Sequence, residues 1–356
     1  MEECPVTIEQ IKHAAETIKP FVHKTPVLTS ATLDGFASQA VDRDVKLLFK
    51  CENFQKVGAF KIRGATYAIK RLLETIADPS TLTVVTHSSG NHAQALALAA
   101  RQLNVKCHVV MPRNAPAVKK SAVQGYGAAI TECMPTLEAR EATVQSVMNR
   151  LQEEAALRGD KDAIVRMVPP YDHLDIIRGQ GTIAFELVEQ ADEMDMPLDI
   201  ILTPVGGGGM LSGVSLAARG LRSNILVFGA EPTGASDAQA SFRSRIFHPS
   251  VEPKTIADGL LTSLGDITFP LILENVDDIF TVTDEEIAQA MKFIWERMKI
   301  IVEPSSCVTL AVVLFSSEFK QRISDLQTKN PHLNIGLVLS GGNVDLNTCL
   351  TLLSNV

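Results

Sequence analysis

The sequence predicts an α/β protein built on parallel sheets, and three observations carry that expectation. Short apolar runs recur along the chain, each is followed by a loop containing glycine or serine, and each loop opens into a stretch of helical periodicity. Continuously apolar strands are buried on both faces, which a parallel sheet covered by helices provides.

In chain order, a strand over 46–50 leads through a polar loop into a helix over 63–77. There Ala65, Ala68, Ile69, Leu72, Leu73 and Ile76 fall at the i, i+3, i+4 spacing of one buried face. A strand over 82–86 leads through Ser88-Ser89-Gly90-Asn91 into a helix over 92–103. A strand over 105–111 precedes a proline-containing loop and a helix from about Pro116. A strand over 199–205 leads through four glycines into a helix over 210–221, and 225–231 and 334–340 are further buried strands. No repeat, low-complexity tract or flexible linker interrupts this order. Open parallel sheets collect ligands at the carboxyl ends of their strands, beside helix N-termini. Chemistry is therefore expected in loops 52–61, 87–92, 206–209, 231–237 and 340–343.

Composition narrows the function classes. A chain of 356 residues can bury the core of two domains, and a net charge of −8 disfavours nucleic acid and anionic membranes as partners. No apolar run approaches the roughly 20 residues that span a bilayer. The acidic, amphipathic N-terminus lacks the signature of a secretory or organelle presequence. Cys4, Cys51, Cys107, Cys133, Cys307 and Cys349 are scattered, mostly in apolar stretches, without zinc-ligand spacing. Reduced thiols in the cytosol are the expectation.

Five groups of residues could carry chemistry. Gly206, Gly207, Gly208 and Gly209 join a buried strand to a helix, so their backbone N–H groups could converge on a phosphate; a tight turn is the alternative. No Gly-Lys-Ser/Thr follows, which excludes a P-loop, and the third glycine of a dinucleotide fingerprint is missing. Ser88 to Asn91 could bind a carboxylate or simply cap a helix. Lys61 is either a solvated charge or, given apolar Phe60 and Ile62, a desolvated amine able to condense with an aldehyde. Glu231 and Asp237 suit Mg²⁺ or Ca²⁺, although two solvated loop acids are the plainer reading. His87 and His92 could be bases, or pack and cap.

Taken together, Phe60-Lys61-Ile62-Arg63-Gly64-Ala65, Thr86-His87-Ser88-Ser89-Gly90-Asn91-His92, Gly179-Gln180-Gly181-Thr182, Gly206–Gly209 and Ser340-Gly341-Gly342-Asn343 resemble, in this order, the serine racemase and serine/threonine dehydratase group. These are pyridoxal-phosphate enzymes of fold type II (tryptophan synthase β-like), and the resemblance runs from about residue 6 to about residue 350. It implies two parallel-sheet α/β domains, 1–82 with 174–356 and a small mobile 83–173, around a cleft. It implies that Lys61 carries the cofactor as a Schiff base beside Phe60. Gly206–Gly209 would cradle the phosphate, Asn91 would meet the phenolic oxygen, and Ser340 the pyridine nitrogen. A hydroxyl there, unlike a carboxylate, would leave that nitrogen largely unprotonated. Ser88, Ser89, Gly90, Asn91, Arg140 and Thr262 would hold the substrate, with Ser89 as second acid/base opposite Lys61. Glu231, the Ala235 carbonyl and Asp237 would bind Mg²⁺ or Ca²⁺, which overturns the plainer reading of those acids. Lys56 and Gln94 match positions tied to a nucleotide effector such as ATP, and a homodimer is implied.

The chain departs from the group's pattern in several places. Ala93 and Tyr171 resemble the dehydratase branch and microbial racemases. Pro169 replaces a usual histidine, and Arg178 a small residue. Thr262 replaces a serine, and Ser306 and Cys307 stand where alanine or glycine is typical. An additional arginine near the pocket would suit a second carboxylate, as in 3-hydroxyaspartate. The C-terminus is too short for the regulatory domain of biosynthetic threonine deaminases. The expected activity is serine racemisation with serine/threonine dehydration; the alternatives are a threonine or threo-3-hydroxyaspartate ammonia-lyase and a pyridoxal-phosphate-binding homologue with little turnover.

Overall fold

Ten strands form among the residues that the computed structural model describes, 5–115, 117–326 and 332–354. They are β1 (Val27–Leu28), β2 (Asp44–Cys51), β3 (Leu82–His87), β4 (Lys106–Pro112), β5 (Ala129–Cys133), β6 (Ile164–Met167), β7 (Ile200–Pro204), β8 (Leu226–Pro232), β9 (Asp278–Val282) and β10 (His332–Leu339). A six-stranded sheet has the order β1-β2-β10-β7-β8-β9, parallel except for β1, and a four-stranded parallel sheet has the order β5-β4-β3-β6.

The six strands read from the sequence are the interior strands of these sheets. Their side chains are covered on both faces, as in β7, where all five residues are buried, and that forces the continuous apolar run. The four strands that escaped the reading, β1, β5, β6 and β9, all lie at sheet edges. In β5 only Cys133 is buried, so the stretch lacks the apolar signal. The helix expected from about Pro116 spans Ala117–Gly125, and Pro116 lies outside the described residues.

The core of the six-stranded sheet lies on both its faces. On one, Phe228, Phe280 and Phe319 pack edge to face with ring centroids 5.3 to 6.0 Å apart. Cys51, Cys133, Cys307 and Cys349 are buried, Cys107 is half-buried, and none of the five is in a disulfide; Cys4 lies outside the described residues.

Three helices fix the positions that matter for chemistry: Lys61–Leu73, Leu174–Glu193 and Gly209–Leu221. Gly179 and Gly181, from the Gly-Gln-Gly-Thr stretch, are the crossing points. A Cβ on Gly179 would lie 2.6 Å from the Gly64 Cα, and one on Gly213 would lie 2.6 Å from the Gly181 nitrogen. The middle helix thus meets the helix that begins at Lys61 on one side and the helix that begins at Gly209 on the other.

A buried ion network braces the first of these helices. Arg63, with no exposed surface, donates to both Glu52 and Glu186 at 2.8 Å. Lys50 donates to Glu186 and Gln190 at 2.7 Å. Burial opposes the Arg63 charge, but the two carboxylates outweigh it and raise its pKa. Removing one partner of such a network leaves an uncompensated buried charge, at a cost of about 3–5 kcal/mol.

Candidate active site

The carboxyl ends of β3, β7 and β10 border one cavity of about 170 Å³. Its walls include Phe60, Lys61, Ser88, Ser89, Gly90 and Asn91, and also Gly206–Gly209, Ser340, Arg140 and Thr262. Every residue expected to hold cofactor or substrate therefore converges here. Lys56 and Gln94 do not line the cavity; the turn Lys56–Gly58 packs against the helix Asn91–Gln102 that carries a buried Gln94.

Lys61 is the first residue of its helix. The sequence pattern placed that helix from Arg63, because Lys61 has no place on the apolar face. Its Nζ donates to the Pro170 carbonyl at 2.8 Å and lies 5.1 Å from the Phe60 ring centroid. Burial pushes the amine down from 10.5 to about 8, opposed by the charge of Glu303. A positive helix N-terminus acts in the same direction as burial.

The glycine loop follows β7 and opens the helix Gly209–Leu221. A Cβ on Gly207 would fall 2.3 Å from the Tyr171 ring, and one on Gly209 would fall 2.9 Å from the Tyr171 carbonyl. Gly208 has φ +83°, a conformation that favours glycine. The sequence suggested that side chains are absent so that a phosphate can approach. The structure adds a second cause: the segment around Tyr171, which also lines the cavity, packs directly against the loop. Asp172 next to it accepts from the Ile267 and Thr268 amides at 3.0 Å, and Thr268 Oγ1 donates to the Gly207 carbonyl at 2.9 Å. A loop of glycines at a helix start, held rigid, fits a phosphate.

Ser88 accepts the Gly90 N–H at 3.2 Å and so shapes the serine loop. Asn91, at the start of its helix, donates to Glu303 at 2.9 Å and accepts from Asn343 at 2.9 Å. Glu303 is a site residue that the sequence reading missed. Burial, and then the charge of Asp258, push it up to about 7. Its signal was a lone acid before Pro304, at the start of an otherwise apolar helix. Lys119 and Asp258 were missed too; they face each other at 2.8 Å at the cavity edge.

The two histidines beside the serine loop are not equivalent. His92 is buried, its Nε2 lies 3.2 Å from the Val168 carbonyl, and burial followed by the Lys61 charge lowers its pKa to about 3. It stays neutral with its hydrogen on Nε2, which is a packing role. His87 lines the cavity, lowered by burial and then by Arg140.

Arg140 reaches the cavity with a buried Nε that has no hydrogen-bond partner. Arg178 points elsewhere: it is held by Asp175 at 2.7 Å, Gln10 at 3.1 Å and the Pro5 carbonyl at 3.0 Å. Arg140, not Arg178, is the pocket arginine.

Glu231, next to last in β8, accepts the Ala238 and Gln239 amides at 3.0 and 2.9 Å. Burial raises it to about 8 despite those bonds, and burial raises Asp237 to about 6. One Asp237 carboxyl oxygen is buried without a partner. Ala235 is buried in the turn between them. A buried acid, a half-buried one and an orphaned oxygen fit a divalent cation. Among the described residues no cluster of three or more His, Cys, Asp or Glu could hold a metal, so the ion would complete its shell with backbone and water oxygens. Among the described residues no helix is long and apolar enough to cross a membrane.

Known proteins resemble the chain along most of its length. Residues 18–326 match the profile of a family described as pyridoxal-phosphate dependent enzyme. A serine racemase of Dictyostelium discoideum is 46% identical over 351 residues, covering 98% of both chains. An L-threo-3-hydroxyaspartate ammonia-lyase of Saccharomyces cerevisiae is 44% identical over 350 residues, covering 98% of this chain and 96% of the other. The crystal structure of the Dictyostelium serine racemase superimposes with a TM-score of 0.81, covering 96% of this chain and 99% of that one at 45% identity.

Proposed function

The chain belongs to the pyridoxal-phosphate dependent enzyme family, and from that premise we propose that it racemises serine and dehydrates serine and threonine. The observation that carries the reading is the convergence of Lys61, the Ser88–Asn91 loop, the four glycines and Ser340 on one cavity. When bound, pyridoxal phosphate supplies an electron sink for bond breaking at the α-carbon. Gly206–Gly209 hold its phosphate, and Phe60, Asn91 and Ser340 hold its ring.

Lys61 would hold the cofactor's aldehyde until the substrate's amino group takes its place, and its freed amine would then serve as base at the α-carbon, a task suited to an amine titrating near 8. The substrate carboxylate seats on the Ser88–Asn91 loop at the start of a helix. Ser89 exchanges a proton on the other face of the α-carbon. Racemisation needs both groups. Dehydration needs one proton removed and the β-hydroxyl lost, so the two activities share their first proton transfer.

A second reading, L-threo-3-hydroxyaspartate ammonia-lyase, is favoured by Arg140, whose unpartnered buried Nε suits a second carboxylate. Three further elements belong to the proposal. Glu231, the Ala235 carbonyl and Asp237 hold Mg²⁺ or Ca²⁺, and Lys56 with Gln94 form a nucleotide-effector site for ATP. The protein is a cytosolic homodimer whose 83–173 unit moves against the rest. The test is a panel of L- and D-serine, L-threonine and L-threo-3-hydroxyaspartate assayed for keto acid and for enantiomer exchange. Serine turnover by both routes supports the first reading, and keto acid from hydroxyaspartate alone supports the second.

A further inference from the structure

Val168, Pro169 and Pro170 follow β6, on the path from the four-stranded sheet back to the six-stranded one. Both ends of this tripeptide are held. The Val168 N–H donates to the Val85 carbonyl at 2.9 Å, and the Val168 carbonyl accepts from His92 Nε2 at 3.2 Å. Val85 lies in β3 ahead of the serine loop, and His92 lies in the helix after it. Val168 is therefore clamped to both flanks of Ser88–Asn91. At the other end, the Pro170 carbonyl accepts from Lys61 Nζ at 2.8 Å. Beyond it Tyr171 packs against Gly207 and Gly209, and Asp172 accepts the Ile267 and Thr268 amides at 3.0 Å.

The span between the clamps is stiff. Each proline ring fixes its own φ, and a residue followed by proline is pushed toward extended backbone. Val168 and Pro169 are both followed by proline. The Pro170 carbonyl thus has a set place relative to the serine loop. A carbonyl can only accept, so the lysine is the donor in the 2.8 Å bond. A neutral amine that gives one hydrogen to Pro170 keeps its lone pair for a proton.

We propose that Val168-Pro169-Pro170 is a positioning element that holds the free amine of Lys61 in register with Ser89 across the α-carbon. The inference rests on the reading of Lys61 and Ser89 as the two groups that exchange a proton there. The four-carbon stem of lysine is flexible, and a reacting group misplaced by about 1 Å loses about 100-fold in rate. On that reading Lys61 serves the face that carries the proton of L-serine, and Ser89 the face that carries the proton of D-serine. Loosening the span therefore affects one face. From D-serine, Ser89 still removes and returns the α-proton, while delivery of a proton by Lys61, and with it L-serine, is lost.

The test is Pro169→Gly, which frees the backbone and leaves both clamps in place; Pro169 does not line the cavity. The holoenzyme is given D-serine in deuterium oxide, and two quantities are read: L-serine formed, by chiral chromatography, and deuterium at the α-carbon of the remaining D-serine, by proton NMR. The ratio of the first to the second should fall about 10- to 100-fold. A second readout needs no turnover. In the cofactor-free protein, the pH at which capture of pyridoxal phosphate reaches half its limit should fall, because a carbonyl acceptor favours the charged amine. General loosening would admit water and raise it. Pro169→Ala offers the same release should the glycine variant fail to fold. An unchanged ratio overturns the proposal, and so does a half-point that stays or rises. If the wild type forms no L-serine from D-serine, the two-base reading itself falls, and the proposal with it.

Discussion

Covalent capture of pyridoxal phosphate by the cofactor-free protein should quicken with pH, reach half its limit near pH 8 and level off about one unit above it. Only a neutral amine attacks the aldehyde, and the Lys61 amine titrates at about 8 instead of 10.5, because burial outweighs the charge of Glu303. At pH 7 a group titrating at 8 is neutral in about one molecule in ten, and an ordinary lysine in about one in three thousand. The advantage is therefore on the order of 300-fold at pH 7 and shrinks to about fourfold at pH 10. Stopped-flow absorbance after mixing cofactor with the cofactor-free protein between pH 6 and 10 measures it. Glu303→Gln removes the opposing charge, so its plateau should begin at lower pH. A rate that climbs steadily to pH 10 in the wild type would refute the reasoning, because Lys61 would then behave as a solvated lysine.

Three further outcomes follow from the site. Ser89→Ala should abolish racemisation while L-serine still yields keto acid, read by chiral chromatography and a pyruvate assay; equal loss of both would remove the second proton donor from the scheme. Gly207→Ala drives a Cβ into the Tyr171 ring at 2.3 Å; overpacking of about 1–3 kcal/mol should weaken cofactor binding roughly 5- to 150-fold in a spectral titration, and Tyr171→Ala in the same chain should recover part of it. Arg140→Ala should cost roughly 10- to 150-fold in kcat/KM for 3-hydroxyaspartate, the worth of about 1.5–3 kcal/mol for a charged hydrogen bond, and much less for serine. Parallel losses on both substrates would assign Arg140 to the shared α-carboxylate.

How much of this could be read from the sequence follows from burial. The interior strands β2, β3, β4, β7, β8 and β10 announced themselves because both faces are covered, and the edge strand β5 did not because one buried residue makes no pattern. Lys61, the serine loop and the four glycines were legible because each sits where a strand or loop turns into a helix. Glu303, Lys119 and Asp258 were not, since they reach the cavity from elements far apart in the chain, and a single acid or lysine carries no spacing signal. Gly179 and Gly181 were singled out as part of a recognisable stretch, but that they are helix-crossing contacts needed the packing. Arg178 looked like the odd arginine for a second carboxylate; only its bonds to Asp175 and Gln10 show that it faces the N-terminal helix.

The central claim is that Lys61 moves a proton at the α-carbon of a small hydroxy-amino acid. The most direct test is proton exchange at that carbon in deuterium oxide, followed by proton NMR with L-serine, L-threonine and L-threo-3-hydroxyaspartate. The account predicts deuterium at the α-carbon of serine recovered from the wild-type holoenzyme, in both enantiomers, and none with Lys61→Ala. A cofactor-loaded wild type that leaves the α-proton of all three substrates in place would contradict it.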